Sequence, residues 1–315
     1  MSDQPIRRLV LVGSVIVDVV LYVDALPERG GDVVATRSMT TAGGGFNVVS
    51  AASRQGLRSA YAGLIGTGPF GAQVRDSLAA ESVELLLPEP AEGDTGFCIA
   101  LVEASGERTF ATTVGAEAGL TAERLGSLPI RADDAVYLSG YDLVYPHAAA
   151  IARWVGALPA AMTLVLDPGP LVAEIPAEVL DAVLARVSWL SLNAREASLL
   201  TGAADPSAAA RALFARAPTL AGVVVRDGPR GCSVYPSAAD GEQVDAPAVE
   251  AADVVDTNGA GDVHVGAFVA GLARGEDPVS AARAANAAAA VAVTRLGPAT
   301  APHHHPPPPP AVIMH

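Results

Sequence analysis

Asp256-Thr257-Asn258-Gly259-Ala260-Gly261-Asp262 sets a carboxylate directly behind three residues with almost no side chain. Upstream, Val249 to Val255 alternates apolar with acidic residues, as an extended segment does. Val263 to Ala273 takes up a helical pattern, so the string lies at an extended-to-helix turn. The first N–H groups of a helix have no intrahelical acceptor, and the helix dipole adds partial positive charge there. Gly259, Ala260 and Gly261 would let an oxyanion or phosphate approach those groups closely. A carboxylate beside such an anion is unfavourable unless it has a task, such as taking a proton from an incoming hydroxyl. An anion cradle with an adjacent base, Asp262, points to phosphoryl transfer. Alone, the string also fits a plainer account, in which Asp262 is a first-turn aspartate favoured by the dipole and the glycines only shape the turn.

Other polar residues stand where ligands bind. In Ala42-Gly43-Gly44-Gly45-Phe46-Asn47, three glycines allow close backbone approach and Asn47 offers a donor and acceptors; the alternative is a turn with Asn47 as a helix cap. Asp18, in the second extended segment, is an acceptor suited to sugar hydroxyls or an edge-strand aspartate. Asn193 and Glu196, three apart at a helix start, fit a metal hydration shell or phosphate, and equally a capping box. Asn286 interrupts an alanine-rich helix from Pro278 to Arg295, where it would face solvent, bond locally or meet a purine.

The elements that must hold these residues follow from periodicity. Arg8 to Gly13 reads as a buried strand, Val15 onward as a second, Asp32 to Thr41 as a third, and a helix runs from the glycine loop to Gly56. Thr95 to Val102 and Arg108 to Val114 flank Ser105-Gly106-Glu107 as a hairpin. Asp134 to Leu138, Thr163 to Asp167, Val187 to Leu192 and Ala221 to Arg226 are strands with helices between. Such alternation implies an α/β fold, a mostly parallel central sheet with helices on both faces. Segments 15–41 and 95–115 would form a small β-sheet lid within one domain spanning 1–302, and the His/Pro-rich tail 303–315 is expected to be disordered. Ligands of such sheets lie beyond the carboxyl ends of the strands, where Gly140, Asp167, Asn193, Glu196, Asp227 and Gly228 fall.

Composition excludes several classes. All 20 basic residues are arginine, which removes the Walker A loop, the protein-kinase strand lysine and Schiff-base chemistry. A net charge of −14 argues against nucleic acid as partner and leaves phosphate neutralisation to backbone N–H groups, arginine and a divalent cation. Cys98 and Cys232 are too few for a disulfide framework or a cysteine metal site. No apolar run is long enough to span a membrane and Met1 to Pro5 has no signal-like core, so a soluble, cytoplasmic protein is expected.

In order and spacing, DTNGAGD, AGGGFNVVSAASRQG, Asp18, the GERTF hairpin, Asn193-Ala194-Arg195-Glu196, RDGPRG with Gly228 and Gly231, and AANAAAAVAVTRLGPA resemble the ribokinase-like (PfkB) sugar and nucleoside kinases. The resemblance runs from Gly13 to Pro302. It implies a ribokinase-like fold and transfer of the γ-phosphoryl group of ATP to a hydroxyl, with Asp262 as base and Gly259, Ala260 and Gly261 as anion hole. It further implies that Asp18, Gly44 and Asn47, with Phe46 in the same loop, meet the substrate. Asn193 and Glu196 would organise Mg²⁺ through water, Gly228, Gly231 and Asn286 would lie near adenine, and Asp256 with the Asn258 carbonyl would take a monovalent cation such as K⁺. Ala42 in place of glycine, bulky Phe46, an Asp167-Pro168 pair without a following arginine, and Asn258 in place of threonine depart from the usual pattern. A small sugar is the expected substrate because aromatic platforms are scarce; a nucleoside, or a non-catalytic sensor on the same fold, is the alternative. The open edges of the lid sheet offer a homodimer surface.

Overall fold

The computed structural model describes residues 5–237, 241–245, 247, 250, 253–297 and 299–304. β1 (Arg8–Leu11), β2 (Val15–Val23) and β3 (Arg37–Gly44) lead into α1 (Phe46–Arg54), β4 (Arg58–Tyr61), α2 (Pro69–Ala80) and β5 (Glu84–Leu85). The hairpin β6 (Phe97–Glu103) and β7 (Arg108–Thr113) precedes α3 (Ala122–Gly126). Strand and helix then alternate through β8 (Asp134–Ser139), α4 (Ala148–Ala157), β9 (Thr163–Asp167), α5 (Ala177–Leu184) and β10 (Trp189–Asn193). α6 (Ala194–Thr201), α7 (Pro206–Arg216) and β11 (Gly222–Arg226) continue the pattern. β12 (Cys232–Tyr235), β13 (Glu242–Val244), α8 (Ala260–Ala273) and α9 (Pro278–Ala292) complete the described elements.

One sheet has nine strands in the order β13-β12-β11-β10-β9-β8-β1-β4-β5, parallel from β11 to β5. The expected mostly parallel sheet with a smaller one beside it is present, the latter as β3-β2-β6-β7. Strand alternation divides β1 between two cores: Leu9 and Leu11 join α1, α8 and α9, whereas Val10 and Val12 join α4, α5 and α7.

Some bounds differ from expectation. The third strand starts at Arg37 rather than Asp32, because Val33 and Val34 find no partner strand and Val34 is exposed. A reading of Val83 to Pro88 (VELLLP) as one strand is likewise cut short: only Glu84–Leu85 pairs, on a sheet edge. The antiparallel additions β12 and β13 were not expected; the sharp Gly228–Arg230 turn reverses the chain after β11. The stretch from Val249 to Val255 lies partly outside the described residues, as does the tail from His305 onward. His304 donates its N–H to the Arg54 carbonyl at 2.9 Å. No described helix is long and apolar enough to cross a membrane.

α8 carries the DTNGAGD turn and is apolar on every side, so it must be buried. Val263, Val265, Phe268 and Val269 are buried, each worth about 1.5–3 kcal/mol relative to exposure. Gly266 lets α8 cross α1 closely, since a Cβ there would collide with the Val48 carbonyl. That crossing sets the site.

Candidate active site

Arg37–Gly44 ends in a left-handed residue, Gly44 at φ +60°, that turns the chain from β3 into α1, with the Gly45 N–H donating to the Ser14 carbonyl at 3.2 Å. Asn47 therefore emerges at the first turn of α1, beside the start of α8. Its Nδ2 donates to Asp262 Oδ2 at 3.0 Å, a bond between residues 215 apart in sequence. Asn47 is 4% exposed and its Oδ1 has no hydrogen-bond partner among the described residues. A buried amide oxygen without a donor is costly, which leaves Asn47 Oδ1 with an unused acceptor beside Asp262.

Gly259 takes φ +73° and caps α8 without a side-chain hydrogen bond. The first helical bond runs from Val263 N–H to the Gly259 carbonyl at 2.9 Å, leaving the Gly261 and Asp262 N–H groups ahead of it without intrahelical acceptors. Asp262 follows at once. Burial pushes its carboxyl up to about 7; the charges of Asp167 and Asp18 add to the rise, while the Asn47 hydrogen bond and the Arg226 charge oppose it. A carboxyl that titrates near neutrality has the proton affinity a general base needs at ordinary pH.

Asp18 lies on β2 against Gly43 of β3, where a Cβ would collide with its carboxylate. Burial pushes Asp18 up to about 6. The ring of Tyr141 stands nearby, 37% exposed, its hydroxyl pushed up to about 12 by burial and by Asp262, Cys98, Asp18 and Asp167. Phe46 is placed differently from its expected role at the substrate. It is 5% exposed and packs into the core around α1, because the first turn of α1 directs it inward against the sheet. Tyr141 is the aromatic that borders the site, and its position just after a strand end was its only sequence signal.

On the other side of Asp262, Arg226 ends β11. Its Nη2 lies 2.9 Å from Asp167 Oδ2 and 3.6 Å from Glu196 Oε2, and its Nη1 donates to the Gly261 carbonyl at 2.9 Å. One largely buried guanidinium thus joins the end of β9 and the first turn of α6 to the residue before Asp262. Burial works against its charge, but Asp167, Glu196 and Asp262 outweigh that and raise its pKa. Sequence reasoning missed Arg226; a lone charge closing the apolar run Val223-Val224-Val225 was the available sign.

Asn193 and Glu196 form the reciprocal capping box. The Glu196 N–H donates to Asn193 Oδ1 at 2.8 Å, and the Asn193 N–H to Glu196 Oε2 at 2.7 Å. Burial, then the Asp167 charge, raises the Glu196 carboxyl against the pull of Arg226. Gly228 and Gly231 take positive φ at the two ends of the β11–β12 turn, beside a hollow lined by Asp227, Pro229, Arg230, Gln243 and Asp245. Asn286 does not face solvent. Buried, it donates to the Val244 carbonyl at 2.8 Å and so ties α9 to β13. Asp256 has both oxygens engaged: Oδ1 by the Asn258 N–H at 2.8 Å and Arg108 at 3.2 Å, Oδ2 by the Gly297 N–H at 3.2 Å.

The pfkB family carbohydrate kinase model matches residues 6–304. An uncharacterised sugar kinase of Escherichia coli K12, YegV, is 33% identical over 306 residues, covering 94% of this chain and 91% of the relative. The ribokinase of Bacillus subtilis is 26% identical over 293 residues, covering 92% and 94%. The solved structure of Arabidopsis thaliana ribokinase with ribose and ATP superposes with a TM-score of 0.74 at 23% identity, covering 95% of this chain and 96% of that one. With the match running nearly end to end through both glycine segments, the chain belongs to the pfkB family of carbohydrate kinases, phosphotransferases whose acceptor is a hydroxyl.

Proposed function

We propose that this protein transfers the γ-phosphoryl group of ATP to a hydroxyl of a small sugar. Asp262 takes the hydroxyl proton, and the backbone of Gly259, Ala260 and Gly261 receives the phosphoryl group. The observation that carries this reading is the Asn47–Asp262 hydrogen bond, which joins the glycine-rich loop to the base and leaves Asn47 Oδ1 open to a ligand hydroxyl. Asp18 and the Gly44 backbone complete the substrate side, while Gly228 and Gly231 border the nucleotide. Phosphoryl transfer needs alignment and charge neutralisation more than covalent chemistry, and the helix N-terminus with Arg226 meets that need in a chain without lysine.

Among the described residues no three His, Cys, Asp or Glu side chains converge as a metal-ligand set. Glu196 keeps one carboxylate oxygen outside its capping box, which fits a Mg²⁺ that arrives with the nucleotide phosphates and retains its waters. When bound, that ion would neutralise charge developing on the phosphates. A nucleoside as acceptor is the second reading, favoured by the half-exposed Tyr141 ring beside Asp18 and Asp262.

Release of ADP from ATP should depend on an added sugar when a panel of sugars and nucleosides is screened. A protein that binds ATP and sugar yet forms no ADP would be a sensor instead. Gly43→Ala drives a methyl into the Asp18 carboxylate. It is expected to raise the sugar KM about tenfold or more with a smaller change in kcat, read from initial rates; an unchanged KM would remove Asp18 from the substrate side.

A further inference from the structure

The family resemblance assigns a monovalent cation to Asp256 and the Asn258 carbonyl, and the residues around Asp256 do not fit one. Asp256 is 11% exposed and lies six residues before the base. An uncompensated carboxylate there would repel the phosphoryl group that the α8 N-terminus attracts. Both its oxygens already have donors: two backbone N–H groups, from Asn258 and Gly297, and the guanidinium of Arg108. The same Arg108 Nη2 donates to Thr257 Oγ1 at 2.7 Å, so one side chain grips two consecutive residues of the turn.

Arg108 comes from the small sheet. It opens β7 after the Ser105-Gly106-Glu107 turn and reaches 148 residues along the chain to Asp256. The surroundings are already cationic. Arg37 lies over the Tyr22 ring, 5.6 Å from its centroid, and burial raises the Tyr22 hydroxyl, with the Asp256 charge adding to the rise and those of Arg37 and Arg108 opposing it. A potassium ion at Asp256 would have to displace a fixed guanidinium and then sit among these charges, having shed its own water.

We propose that the Arg108 guanidinium supplies to Asp256 the positive charge that the resemblance assigns to a monovalent cation, making Arg108 a positioning residue for the anion site. This rests on the phosphoryl-transfer reading above. Held by Arg108, Asp256 and Thr257 fix the turn whose next residues present the Gly261 and Asp262 N–H groups, and the enzyme works without K⁺. Because Arg108 belongs to β7, the clamp also ties the small sheet to the turn before α8.

The test uses the full chain in chloride salts of K⁺, Na⁺ and tetramethylammonium at one ionic strength, reading kcat, the ATP KM and the thermal unfolding midpoint. Wild-type kcat and KM are expected to agree within about twofold across the salts, with no K⁺-specific rise in the midpoint. Activation by K⁺ several-fold above tetramethylammonium would overturn the proposal, and so would a K⁺-specific stabilisation. Arg108→Ala should lower kcat/KM about tenfold or more and regain activity in K⁺ or in millimolar guanidinium, neither of which changes the wild type. A purely structural arginine would give no such cation-dependent recovery, and wild-type behaviour of the variant in every salt also defeats the idea. If Arg108→Ala does not fold, the wild-type salt series decides. If no sugar supports ADP formation in any salt, the phosphoryl-transfer reading fails, and the unfolding midpoints still report whether K⁺ binds.

Discussion

Replacing Asp262 with asparagine is expected to lower kcat by about 10²–10⁴ while the KM values for sugar and ATP stay near wild type. Asparagine keeps the shape and can still accept from Asn47 Nδ2 through its amide oxygen, so the hydrogen bond that positions α1 survives. What it loses is the ability to take a proton. The pH profile supplies an independent check. Asp262 must be ionised to act, and its carboxyl is pushed up to about 7, chiefly by burial. Activity should therefore fall as pH drops below about 7, one proton per site, and the residual activity of Asp262→Asn should lack that limb. Turnover at wild-type level in the variant would assign proton abstraction elsewhere.

Arg226→Met should be the most destabilising change in the site. The side chain fills similar space, but Asp167 and Glu196 lose the guanidinium at 2.9 and 3.6 Å, and the Gly261 carbonyl loses a donor. Removing one partner from a largely buried charge cluster costs about 3–5 kcal/mol, because the remaining carboxylates are left uncompensated. Chemical denaturation would measure the loss. A cost under about 1 kcal/mol would mean that water already compensates the two acids. Among protein that remains folded, the activity limb set by Asp262 should move to higher pH, since Arg226 opposes the rise of that carboxyl. A limb that stays in place would separate the two groups.

Residues that announce themselves through backbone demands are legible in the sequence alone. Gly44 and Gly259 both take left-handed angles, and only glycine does so without strain, so the turns they mark can be placed from residue type. The capping box of Asn193 and Glu196 is equally local, three residues apart. The alternation of strand and helix gives the sheet its parallel character, since parallel strands need helical crossovers that cover both faces. What sequence could not supply was side-chain direction over long separations. Phe46 and Asn47 are neighbours in the first turn of α1, yet one enters the core and the other meets Asp262, a division set by how α1 lies on α8 at Gly266. Arg226 looks like the polar end of a strand, and its importance comes from Asp167, Glu196 and Gly261, which reach it from three other parts of the chain. Tyr141 follows a strand that gives no hint of which way the next turn faces.

The two cores on either side of the large sheet divide the molecule's labour. Asn47 and Asp262 ride on α1 and α8, which share one core, whereas α4, α5 and α7 pack into the other. The distance between the glycine loop and Asp262 is therefore fixed by a single packed block. Helices on the opposite face can vary in sequence, provided they still cover the sheet, without reaching that distance. Such an arrangement leaves the outer surfaces of α4, α5 and α7 free to drift or to acquire new partners while the spacing of Asn47 and Asp262 stays constant.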